Sequence, residues 1–161
     1  MPKTRADLFE RLTELGVRTT THEHPPVMTV EESKDLYEKI PGWHSKKLFL
    51  KDAKGVLWLV VADAMRPIDL KQLPDAIGSK RLSFGSAELL VEILEVPPGA
   101  VTPFALINDE AHRVNVVLDR SMFEHTAANF HPLENTATTA IAPKDLVRFV
   151  ERCGHTPCYL G

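Results

Sequence analysis

KLFLKDAKGVLWLVVA, residues 47–62, holds the stretch on which the fold is read. Lys47–Leu50 and Val56–Ala62 are β-rich runs, and the five residues between them end in Gly55. Two such runs around a short glycine-closed loop read as a hairpin. Upstream, residues 4–16 predict an amphipathic helix with Leu8, Leu12 and Leu15 on one face beside Phe9, stopped at Gly16. Arg18–His24 reads as a short strand ended by Pro25-Pro26, and Thr29 with Glu31-Glu32 starts a helix running to about Tyr37.

Downstream, helices are predicted over Ile68–Ile77, entered after Pro67, and over Ser86–Leu94, capped by Ser86. Pro97-Pro98-Gly99 breaks the chain. Strand-like runs follow at Phe104–Asn108, Arg113–Leu118, His125–Ala128 and Thr136–Ile141, and Pro143 opens a last helix to Arg152. The later links are too short for helical crossovers, so the reading is mixed α/β with a largely antiparallel or mixed sheet, not a Rossmann layout.

With 161 residues, the expectation is one domain, 1–161. Hydrophobic residues at 43% and charged residues at 25% are those of a soluble globular protein. A formal net charge of −3 argues against a broad phosphate-binding face and so against DNA as a partner. Nucleic-acid contact should be local, and Lys46, Lys47, Lys51 and Lys54 against Asp52 alone form the one basic stretch that suits it. MPKTRADLFERL lacks the apolar core of a signal peptide, and runs such as Val56–Ala62 are too short to span a membrane. Cys153 and Cys158 then read as reduced thiols, and the expected compartment is the cytoplasm.

The common catalytic signatures are missing: no G-x-S-x-G, Walker A loop, G-x-G-x-x-G or H-E-x-x-H is present. Chemistry, if any, must come from positioning and electrostatics. Lys46 heads a strand face it shares with Leu48 and Leu50, from which an ammonium can meet a phosphate or carboxylate; Lys47, Phe49 and Lys51 share the other face. Gly99-Ala100-Val101-Thr102-Pro103 can present bare backbone N–H groups to an anionic oxygen. His131, held extended by Pro132, can hydrogen-bond a substrate amine or carbonyl. Each of these alone is more often a snorkelling lysine, an ordinary turn or a satisfied histidine. His22-x-His24 and Cys153-Gly-His155-Thr-Pro-Cys158 fall short of a zinc ligand set, so no metal and no cofactor is expected.

Their order along the chain is more specific. Lys46–Asp52 (K-x-L-F-L-K-D), Leu82–Leu90 (L-S-F-G-S-x-E-L-L), Gly99–Pro103 (G-x-V-T-P) and Asn129–Thr138 (N-F-H-P-x-x-N-T-A-T) together resemble the YbaK and prolyl-tRNA synthetase editing-domain superfamily. His24-Pro25-Pro26-Val27 resembles its early histidine-to-valine segment, and the likeness spans almost the whole chain. Within it, the sequence is most similar to the free-standing branch that removes alanine from proline tRNA.

The resemblance implies a single α/β domain with a mixed, partly barrel-like sheet and surrounding helices, whose cleft takes the aminoacylated 3′ end of a tRNA. It implies that Lys46 and Gly99 are catalytic. Lys47, Val101, Thr102, Pro103, Phe130 and His131 are expected to contact substrate, with His131 lining the aminoacyl pocket. Lys47 stands where that branch has asparagine. The expected reaction is ester hydrolysis helped by the ribose vicinal hydroxyl, with effective molarity supplying much of the rate. The expected substrate is Ala-tRNA(Pro), with prolyl-tRNA synthetase a possible associate. Seryl, cysteinyl or threonyl esters are alternative substrates. A non-enzymatic nucleic-acid-binding module and a metal-dependent hydrolase using His22, His24 and His131 are the competing readings.

Overall fold

A computed structural model describes residues 3–26 and 30–161. The first helix, α1 (Arg5–Glu14), begins where Thr4 Oγ1 accepts from the Asp7 N–H at 3.2 Å and Asp7 Oδ2 accepts from the Thr4 N–H at 2.8 Å. That reciprocal box satisfies two otherwise orphaned donors. Leu8 and Leu12 bury its inner face. Strand β1 (Thr19–Glu23) follows, and then α2 (Val30–Lys39), which extends two residues past the expected end. The expected start of α2 at Thr29 lies outside the described residues.

The hairpin is present as β2 (Trp43–Asp52) and β3 (Leu57–Asp63), antiparallel with Lys47 opposite Val61. Asp52 closes its turn: its side chain accepts from the N–H groups of Lys54 at 2.9 Å and Val56 at 3.0 Å. Strand β3 is buried on both faces. Leu57, Leu59 and Val61 enter the larger core, while Trp58, Val60 and Ala62 enter a smaller one. This is why Val56–Ala62 reads as an uninterrupted apolar run rather than an alternating one.

The remaining elements are α3 (Leu73–Ile77), β4 (Leu82–Phe84), α4 (Ala87–Leu94), β5 (Val114–Asp119), β6 (Ala128–Phe130), β7 (Ala137–Ile141), α5 (Pro143–Arg152) and β8 (Cys158–Leu160). The sheet runs β1-β7-β6-β2-β3-β5-β8, with β4 beside β2. Pairings of β2 with β6, β3 with β5 and β5 with β8 are parallel, so the sheet is mixed as expected. Helices α1, α4 and α5 pack on the larger core, and α3 contributes Leu73 to the smaller one. No helix among the described residues is long and apolar enough to cross a membrane.

Several expectations are corrected. The helix expected over Ile68–Ile77 is confined to Leu73–Ile77. Asp69 Oδ1 accepts from the Lys71 N–H at 2.9 Å, and this local turn competes with helix upstream. The strand expected at Phe104–Asn108 is a 3-10 helix, Pro103–Asn108, entered through Thr102, whose Oγ1 accepts from the Phe104 N–H at 3.3 Å. Its residues from Pro103 to Ile107 are all buried, and a run buried all round has no period to read. The strand expected at His125–Ala128 is displaced to Ala128–Phe130, because Arg120–Glu124 forms another 3-10 helix. Strands β4 and β8, three residues each, gave no periodic signal.

Asp109 locks the entry of β5 to the chain after α5. Its carboxylate accepts from the N–H groups of Arg113 at 3.0 Å and Val114 at 2.9 Å, and from His155 Nε2 at 2.9 Å. Burial alone would raise its pKa, but the His155 and backbone hydrogen bonds outweigh that and hold it below the usual carboxylate range. Asp109→Ala leaves two buried donors and one partly buried donor without their acceptor and is expected to cost about 2–4 kcal/mol, read as a lower urea midpoint at unchanged m-value.

Candidate active site

One edge of β2 is covered by β3 along most of its length. The other is shared: Trp43 and His44 pair with β6, and Leu50–Asp52 pair with β4. Between those pairings, Ser45–Leu48 has no strand partner on that edge among the described residues. A cleft of about 240 Å3 occupies the gap. The Pro98–Val101 segment, the end of β6 and one face of α2 form its other walls.

Alternation along β2 holds as read. Phe49 packs in the larger core and Leu50 in the smaller one, which puts Lys47 on the first side and Lys46 on the second. Because the edge between them is open, both lysines line the cleft. Alternation therefore separates the two side chains without excluding Lys47. Its Nζ donates to the Ser45 carbonyl at 3.1 Å, and burial pulls its pKa down to about 8. The charge of Lys47 also reaches His44, whose pKa burial has already lowered. His44 Nε2 donates to the Ile40 carbonyl at 2.7 Å, and its ring lies 4.4 Å from that of Tyr37 on α2.

His131 lines the cleft with Phe130 beside it. Its Nδ1 faces the Ala137 carbonyl at 2.9 Å. A carbonyl only accepts, so the proton sits on Nδ1, and Nε2 is the acceptor. Burial, reinforced by the charge of Lys47, pulls the His131 pKa down to about 4. At neutral pH it is an uncharged imidazole and a weak base. His24 Nδ1 donates to the Pro25 carbonyl at 2.8 Å, and its Nε2 shares a hydrogen bond with Thr138 Oγ1 at 2.8 Å. Both of its nitrogens are engaged, and no group of three His, Cys, Asp or Glu side chains converges among the described residues.

Gly99 sits in a short 3-10 turn, Pro98–Ala100, and lines the cleft with Val101. The Ala100 N–H is committed to the Pro97 carbonyl at 2.9 Å. A Cβ on Gly99 would stand 3.2 Å from Asn135 Nδ2, at the cleft wall. Thr102 and Pro103 are buried beneath the loop rather than exposed in the cleft, where they start the following 3-10 helix. Their contribution is to hold Gly99–Val101 in place. Phe130 is buried edge-on against Phe104, ring centres 5.8 Å apart.

Sequence reasoning missed Ser45, Asn129 and the α2 residues at the cleft. Asn129 opens the N-F-H-P motif and Ser45 precedes Lys46, so adjacency to the motifs was the signal available. Nothing local marks α2, which reaches the cleft only through packing.

Fold and cleft define a small mixed α/β domain with a lysine- and histidine-lined cleft at an open strand edge. The fold is shared with a solved structure described as a trans-editing enzyme for prolyl tRNA synthetase, with a TM-score of 0.71 at 18% identity, covering 99% of this chain and 98% of that one. Residues 24–149 match the aminoacyl-tRNA editing domain family. The chain is 42% identical to prolyl-tRNA synthetase associated domain-containing protein 1 of Danio rerio, across 98% of this chain and 86% of that protein. It is also 42% identical to the prolyl-tRNA editing protein ProX of Acetoanaerobium sticklandii, across 92% of each. The chain belongs to the aminoacyl-tRNA editing domain family. It is a hydrolase of the deacylase class.

The depressed His131 pKa makes stability depend on pH with a definite sign. Between pH 6.5 and about 4 the unfolded chain binds a proton at this site that the folded protein refuses, so stability falls as pH falls through that window. The loss at its acid end is on the order of 3 kcal/mol from this group alone. Urea unfolding at pH 7, 5.5 and 4.5 should show it, and His131→Gln should flatten the slope.

Proposed function

We propose that this protein works in trans on mischarged tRNA(Pro), hydrolysing the ester of Ala-tRNA(Pro), with residues 1–161 forming one domain. The observation that carries this reading is the chemistry of the cleft lining. Lysines, neutral imidazoles, amides and a glycine turn are present, but no carboxylate and no thiol lines it among the described residues. With His131 near pKa 4 that imidazole has little capacity to deprotonate water, and Lys47, at about 8, is mostly protonated at neutral pH. The ribose vicinal hydroxyl of the substrate supplies what the protein lacks. It orients and activates water, which adds to the ester carbonyl; the acyl C–O bond then breaks and the proton passes to the departing ribose oxygen.

In this reading Lys46 holds the terminal phosphate or ribose, and the Gly99 N–H faces the developing oxyanion. Lys47 and His131 border the aminoacyl group, with Val101 and Phe130 narrowing the pocket. The ProX relative, named for prolyl-tRNA editing, favours proline tRNA. A synthetase pocket built for proline admits alanine because each missing methylene costs only about 1–3 kcal/mol of discrimination, and that is the error this site would correct. Seryl, cysteinyl and threonyl esters are the competing substrates. The setting would be the cytoplasm, with prolyl-tRNA synthetase as the upstream source of the mischarged product.

Single-turnover deacylation of alanyl-, seryl-, cysteinyl- and prolyl-tRNA(Pro) tests the assignment, and the alanyl ester is expected to be cleaved fastest. Lys46→Ala is expected to lower that rate by at least tenfold at an unchanged melting midpoint. Gly99 does not adopt a left-handed backbone, so alanine is tolerated there conformationally. Gly99→Ala keeps the backbone N–H but adds a Cβ that obstructs the ester's approach to it, and should reduce turnover by about 100-fold or more, comparable to losing one oxyanion donor, with little change in tRNA affinity. A Gly99→Ala protein that melts earlier but turns over normally would return the loop to a purely structural role.

A further inference from the structure

Asn129 is 3% exposed and lines the cleft, yet its Oδ1 has no hydrogen-bond partner among the described residues. The orientation of this amide is not open to exchange of oxygen and nitrogen. Nδ2 donates to the Pro41 carbonyl at 3.1 Å and to the Trp43 carbonyl at 3.1 Å, and both partners can only accept. Both hydrogens are used, and the oxygen is left as a fixed acceptor. The surrounding chain makes room for this arrangement. At Gly42 a Cβ would stand 2.9 Å from Asn129 Nδ2 and 2.8 Å from the Ala127 carbonyl. Ser45 Oγ is also buried and unpartnered, but a hydroxyl can rotate to donate or accept and makes no comparable demand.

We infer that Asn129 Oδ1 is the acceptor for the α-amino group of the bound aminoacyl ester. The inference rests on the deacylase reading of the cleft and adds to it a residue that recognises the acyl group. A buried acceptor fixed by two backbone contacts selects a ligand that brings a donor. The acyl part of an aminoacyl ester has one donor common to every amino acid, its amine. Asn129 also lies two residues from His131, and both line the same cleft. His131 Nε2, the acceptor nitrogen of a neutral ring, gives that wall a second acceptor. With the charge of Lys47 close by, the amine binds in its neutral form.

The test varies the substrate before the protein. Alanyl-, lactyl- and propionyl-tRNA(Pro) have acyl groups of similar size but carry an amine, a hydroxyl and no donor in turn. With each rate divided by its spontaneous hydrolysis rate, wild-type protein should cleave the propionyl ester at least tenfold more slowly than the alanyl ester. The lactyl ester should fall nearer the alanyl one. Asn129→Leu, which keeps the volume and removes the acceptor, should bring the alanyl-to-propionyl ratio close to one. Equal normalised rates on wild type would overturn the inference, and so would a ratio unchanged in the variant while all rates fall together. If Asn129→Leu fails to fold, Asn129→Ala is read by the same alanyl-to-propionyl ratio, because the wild-type ratio alone does not separate Asn129 Oδ1 from His131 Nε2. Wild-type protein that cleaves none of the three would instead remove the deacylase reading, and this inference with it.

Discussion

The division of one edge of β2 between two short strands is the constraint on which the site depends. A ten-residue strand paired along both edges would be a closed piece of sheet, with every backbone polar group spent on a ladder. Here β6 takes the first two residues and β4 the last three, and the gap between them leaves Ser45–Lys47 facing a cleft. The gap explains how side chains from opposite strand faces, Lys46 and Lys47, both line one site. It also explains why the Ser45 carbonyl is met by a lysine rather than by a neighbouring strand.

The electrostatics follow from the same opening. Lys47 is desolvated because it sits at the edge of the larger core; burial keeps the neighbouring imidazoles neutral, and the charge of Lys47 reinforces it. The cleft therefore combines strong donors with neutral acceptors and lacks a strong base. Such a site binds and orients far better than it deprotonates. That suits an ester whose own hydroxyl sits beside the scissile bond, where positioning supplies most of the rate. The glycine turn is supported from below by Thr102 and Pro103, so the residues that shape the loop and those that face the cleft are neighbours with different tasks.

Much of this was legible along the chain. The hairpin, the capped helices α1 and α4, the Pro143 helix and the mixed sheet were announced by turn chemistry, caps and apolar patterning, which act over a few residues. Lys46, Lys47, Gly99, Val101, Phe130 and His131 were singled out as site residues, and all six line one cleft. The segments that misled were those whose conformation is set by burial on every side, such as Pro103–Asn108, or by a side chain closing a local turn, such as Asp69.

What the sequence determined by itself was the order of elements and the motifs at their ends, because those depend on local sterics and short-range hydrogen bonds. Which lysine is confined, which tautomer His131 holds and which acceptor lacks a partner were decided only by tertiary structure. Each of these depends on atoms brought together from distant segments: Ser45 beside Lys47, Ala137 against His131, Pro41 and Trp43 around Asn129. Desolvation and unmet hydrogen bonds are properties of an enclosed volume, and a chain has none until strands from both ends of the sequence surround it.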